Sequence, residues 1–143
     1  MKKFQFSLEK VLSYKNQTID VLKNELATLQ HSLNQLEDEL LQLKQLFVDT
    51  NKTVNGKMID GISSGNISVY KIYLNDITVQ VRNKNHEIAK MEKLIADKQQ
   101  EVIAMNIEIA SLDKLKQSQW EEYQKASAKA FEQEIEEFIS NKI

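Results

Sequence analysis

Apolar residues return every seven positions through most of this chain. Leu12, Ile19, Leu26, Leu33, Leu40, Phe47 and Val54 form one series, and Leu22, Leu29, Leu36 and Leu43 follow its middle members by three. Leu8 lies one heptad outside, and Lys15 and Thr50 are the polar members of the second row. Seven heptads of such a seam exceed the three or four that identify a coiled coil. A second segment repeats the pattern: Ile67, Leu74, Val81, Ile88, Ile95, Val102 and Ile109 make one row, and Tyr70, Ile77, Met91, Met105 and Leu112 the other. Lys84 and Lys98 interrupt it. Seam lysines snorkel outward or fix register, and these two are expected to be ordinary polar interruptions.

Between the seams, Asn55-Gly56 is a turn signal, and Ser64 or Asn66 is the expected N-cap of the next helix. The pattern predicts a helix over about 4–55, a loop over 56–66 and a helix over 67–141, in a single coiled-coil domain over 1–143. If the chain reverses in the loop, the seams align with residue numbers summing to about 121. The fold class expected is all-α: a long antiparallel two-helix coiled-coil hairpin with an overhanging C-terminal helix. At 1.5 Å per residue the helices would measure roughly 75 and 110 Å, leaving an overhang of roughly 23 residues. Past Leu112 the strict seam breaks at Lys116 and Gln119, yet Trp120, Tyr123, Phe131, Ile135, Phe138 and Ile139 follow. Some of these aromatics can cover Phe4 and Phe6. The favoured expectation is that they anchor an unpaired amphipathic helix in a partner's groove.

Composition sharpens this picture. The 143 residues include no proline, no cysteine and three glycines, all between Gly56 and Gly65. A multi-turned β fold, or an α/β enzyme with glycine-rich turns in several places, is thereby excluded. A formal net charge of −2 gives no footprint for nucleic acid. No apolar run approaches a membrane span, and charges interrupt the first ten residues where a secretory signal would be continuous. A cytosolic location with no direct membrane insertion is expected, and without cysteine there is no disulfide or thiol chemistry.

Three near-motifs carry no chemistry. Gly56 to Ser63 has the glycine spacing of a phosphate-binding loop, but Ile62 stands where its lysine must be and no strand precedes it. His86-Glu87-Ile88-Ala89-Lys90 resembles a zinc-protease helix without its second histidine, and only His31 remains elsewhere. The acids Glu37-Asp38-Glu39 and Glu136-Glu137 lie on helices with no cleft to shift their pKa values. No catalytic, cofactor or metal site is expected. Charge is graded, with Lys2, Lys3, Lys10 and Lys15 at the start and Glu132, Glu134, Glu136 and Glu137 near the end. In an antiparallel hairpin these lie toward the same end.

Specific residues resemble the FliJ family of flagellar export proteins. The opening Phe4-Gln5-Phe6-Ser7-Leu8-Glu9-Lys10-Val11-Leu12 through Tyr14-Lys15 is similar to that family's aromatic start, and Gly61-Ile62-Ser63-Ser64-Gly65 with Tyr70-Lys71-Ile72-Tyr73-Leu74 to its hairpin region. Leu112-Asp113-Lys114-Leu115-Lys116 resembles its Leu-Glu-Lys-Leu-Lys box, and Ile135-Glu136-Glu137 its near-terminal element. Glu136 stands where the family usually has Asp, and Phe131-Glu132 where it has Glu-Gln.

The resemblance implies a coiled-coil stalk that inserts into the hexameric export ATPase FliI and promotes its activity. It further implies links to the export gate FlhA and to export chaperones during flagellum assembly, at the cytoplasmic face of the inner membrane. By this resemblance Phe4, Phe6, Leu8, Tyr14, Lys15, Leu115, Lys116, Trp120, Tyr123, Glu132, Glu136 and Glu137 are candidates for the ATPase-facing end. Tyr70, Tyr73 and Ile77 are candidates for the gate, although Tyr70 and Ile77 also fit the seam. Two alternatives stay open: the equivalent stalk of a virulence type III secretion system, and a structural coiled coil dimerising through its seams.

Overall fold

A computed structural model describes residues 2–61 and 63–142. Helix α1 spans Glu9–Asp60 and α2 spans Ser64–Lys142, and no strand occurs among the described residues. The two long helices pack together as an antiparallel hairpin coiled coil. Neither is interrupted, because no proline removes a ladder hydrogen bond. Threonines within the helices turn their hydroxyls onto the carbonyl four residues back: Thr18 onto Tyr14, Thr28 onto Asn24 and Thr78 onto Leu74.

The reversal is tighter than expected. Gly56 lies inside α1, and the helix continues to Asp60. Gly61 then takes φ +88°, and its N–H donates to the Met58 carbonyl at 3.3 Å. Positive φ is disfavoured for residues with a Cβ, which is why the helix ends at a glycine. The N-cap of α2 is Ser63, one residue before the first expected: its Oγ accepts from the Asn66 N–H at 3.4 Å, and its carbonyl accepts from Ile67 at 3.1 Å. Ile62, at the lysine position of the glycine-rich pattern, lies outside the described residues.

The chain divides into two compact units, residues 24–99 and residues 1–23 with 100–143. In the first, Val54, Ile77 and Ile95 are buried, and the other seam positions of both helices are half-buried. A two-helix seam has open flanks, so few side chains leave water completely. Lys84 and Lys98 do more than interrupt the seam. Lys84 reaches Glu39 across the helix pair at 2.6 Å and Glu87 at 3.4 Å, and Lys98 reaches Glu25 at 2.7 Å. Both of these cross-helix pairs join residues whose numbers sum to 123, close to the sum of about 121 expected. The hydrogen bond that the Lys84 ammonium donates to Glu39, reinforced by Glu87, holds its pKa above the ordinary lysine range despite some desolvation.

In the second unit, Phe6, Leu12 and Ile19 are buried, and Lys15 pairs with Glu108 at 2.8 Å. Residues 2–8 are not helical. They form a strap laid along α2, and this corrects the helix expected from residue 4. Extended chain covers about 3.3 Å per residue against 1.5 Å in a helix, so the strap reaches farther along α2 than another helical turn would. The seam of α2 therefore does not end at Leu112. Lys116, Gln119, Tyr123, Ser127 and Ala130 are half-buried in the same spacing, and every described residue from Phe131 to Lys142 is exposed. The overhang is thus about half the length expected.

Candidate functional site

The strap shows how the N-terminal aromatics are used. Phe4 and Phe6 turn toward α2 while Gln5 faces solvent, the alternation of an extended segment, and a turn at Ser7 and Leu8 leads into α1 with Leu8 half-buried. Phe6 is 6% exposed. Phe4 meets Trp120 edge-on at 5.2 Å between ring centroids and Tyr123 at 5.5 Å, and Trp120 stacks on Tyr123 at 5.7 Å. The Tyr123 hydroxyl donates to the Lys2 carbonyl at 2.6 Å, tying the strap's end to α2. Where α1 begins, the Glu9 N–H donates to the Phe6 carbonyl at 3.1 Å, Leu12 N–H to the Leu8 carbonyl at 2.9 Å, and Lys116 pairs with Glu9 at 2.8 Å.

The residues expected at one end therefore fall into two groups. Phe4, Phe6, Leu8, Lys15, Lys116 and Tyr123 are engaged within the chain, so the expectation that Trp120 and Tyr123 belong to an unpaired helix is corrected. The strap supplies the missing cover, leaving Trp120 37% exposed. Tyr14, Leu115, Glu132, Glu136 and Glu137 are exposed. Past Ala130, Phe131, Ile135, Phe138 and Ile139 are all open to solvent, with Glu132, Glu134, Glu136 and Glu137 among them. The Lys142 ammonium lies 4.6 Å from the centre of the Phe138 ring.

The residues expected near the turn also separate. Ile77 is 1% exposed and is seam core, so its side chain is not available to a partner while the helices are packed. Tyr70 is half-buried, with the Lys57 ammonium over its ring and donating to its hydroxyl. Tyr73 is exposed, and beside it the structure adds Val69 and Ile72, both more open than Tyr73 itself. These three lie outside the heptad rows, and an apolar residue off the seam is the signal that could have found Val69 and Ile72.

Among the described residues no group of histidines and carboxylates is placed to hold a metal ion, and no helix is long and apolar enough to cross a membrane. His31 and His86 are exposed.

Comparison with known proteins gives a consistent picture. A solved structure from Chlamydia trachomatis, described as that of a homologue of YscO (CT670), superposes with a TM-score of 0.69 at 20% identity. The match covers 94% of this chain and 88% of the other, and at that identity it speaks for the fold alone. No curated protein sequence matches. The sequence profile described as flagellar FliJ protein matches residues 4–142, from the first aromatic of the strap to the last described residue of α2. With the seam, the strap's aromatics and the open end of α2 all inside that match, this chain belongs to the flagellar FliJ protein family.

Proposed function

We propose that this protein is a stalk of a flagellar-type export apparatus, in which the end of α2 is planted in the hexameric export ATPase FliI and promotes its activity. The carrying observation is that the strap covers Tyr123 and part of Trp120 but leaves residues 131–142 uncovered, with four large apolar side chains on them. Family membership supplies the context. A helix without proline, held in register by cross-helix ion pairs, can pass a position or a torque along its length. In this reading Val69, Ile72 and Tyr73 offer the contact to the export gate FlhA, and export chaperones are further partners. The protein is not an enzyme itself and works at the cytoplasmic face of the inner membrane through the apparatus. The YscO-like fold favours a second setting, the same role in a virulence type III secretion system.

The test is deletion of residues 131–143, which spares the strap and its aromatic platform. Stimulation of ATP hydrolysis by purified FliI should fall to the basal rate, while the circular dichroism of the helices stays close to that of the full chain. Undiminished stimulation would refute the planted-end assignment.

A further inference from the structure

The strap displays what kind of segment α2 accepts. It lays Phe4 and Phe6 on α2 with Lys2 and Lys3 exposed beside them, and it ends where the Tyr123 hydroxyl donates to the Lys2 carbonyl. The face it occupies does not end there. Phe131 follows Trp120 by eleven residues and Phe138 follows it by eighteen, close to three and to five full turns at 3.6 residues per turn, so all three side chains leave the helix in one direction. Ile135 lies between them at the four-residue step, and all of these positions past Tyr123 are open to solvent. The uncovered row thus continues the edge of the interface at which Phe4 meets Trp120.

Its charge selects the occupant. Residues 131–142 carry Glu132, Glu134, Glu136 and Glu137 against Lys142 alone. A phosphate backbone or an anionic lipid surface would be repelled. A cation is accepted: Lys142 already rests over the Phe138 ring.

We infer that residues 131–142 form a docking face for a partner polypeptide segment that pairs lysine or arginine with aromatic anchors, the same chemistry as the chain's own strap. The inference names the chemistry of the contact at the stalk's planted end. It rests on the proposed function only for the partner's place in the apparatus, because docking itself requires no ATPase.

The probe is a synthetic peptide copying residues 1–8, titrated into the isotope-labelled full chain and followed by amide chemical shifts. Shifts should appear across 131–142, and the affinity should fall at least tenfold in the double variant Phe131→Ala/Phe138→Ala, whose exposed positions leave the seam intact. A peptide with glutamate in place of both lysines should leave 131–142 unshifted, and salt should weaken the binding of the parent peptide. Shifts confined to residues 116–123, equal binding of the glutamate peptide, or no shift at millimolar peptide would each overturn the inference. Peptide docking together with unchanged ATPase stimulation after deletion of 131–143 would refute the stalk reading alone.

Discussion

Replacing Ile77 with alanine tests whether this residue holds the helices together or meets a partner. Its side chain is 1% exposed, the least of any core residue among those described. Alanine removes three carbons, each worth about 0.8 kcal/mol when buried, or roughly 2.4 kcal/mol in all. Residual cavity adds to this, but a two-helix seam has open flanks that can close, so the low end of the usual 2–5 kcal/mol applies. Alanine also returns a few tenths of a kcal/mol in helix propensity. The net expectation is a loss of about 2 kcal/mol, or roughly 4–8 °C in melting temperature for a chain of this size. Thermal unfolding followed at 222 nm measures it, with Tyr73→Ala as the reference, because that exposed side chain should cost less than about 0.5 kcal/mol. If Ile77→Ala melts with Tyr73→Ala, the assignment of Ile77 to the core is wrong.

Glycine substitutions at the turn should have opposite signs. A Cβ at either Gly56 or Gly61 meets nothing within 4 Å, so backbone conformation alone decides. Gly56→Ala, inside α1, should stabilise by about 0.5–1 kcal/mol, whereas Gly61→Ala, at φ +88°, should destabilise by about 1–2 kcal/mol. Urea denaturation of the two variants checks the pair. The raised Lys84 pKa predicts an alkaline effect: its stabilisation is fully present below the ordinary lysine pKa of about 10.4 and is lost as pH rises through the higher folded value. Lys84→Met should therefore flatten the decline in melting temperature between pH 9 and 11.5, and an unchanged slope would remove Lys84 from the account.

The seam is readable because a coiled coil repeats one local rule many times, and the heptad rows from Leu12 to Val54 and from Ile67 to Leu112 are buried or half-buried. The strap was harder to see. Phe4, Phe6 and Leu8 alternate with Gln5 and Ser7, an extended period of two, but three apolar residues next to a long helical period are easily absorbed into it. That absorption lengthened α1 at its start and so left Trp120 and Tyr123 without cover. The pairing of Lys84 with Glu39 and of Lys98 with Glu25 is not visible in the apolar rows, because it joins seam lysines to carboxylates just off those rows. The open end of α2 was legible as apolar and acidic; its extent was not, because it is set by where the strap stops.

The spacing of cross-helix contacts also orders assembly during synthesis. Lys57 and Tyr70 are separated by 13 residues, Glu39 and Lys84 by 45, Glu25 and Lys98 by 73, Lys15 and Glu108 by 93, and Lys2 and Tyr123 by 121. Each pair formed shortens the loop that the next must close, so pairing advances from the turn at small cost per step. The strap is then the last of these contacts to close, because Phe4 and Phe6 leave the ribosome more than a hundred residues before their platform at Trp120 and Tyr123. Until then Phe4 and Phe6 remain uncovered on the nascent chain, and a chain stopped before Trp120 would carry them uncovered for as long as it lasts.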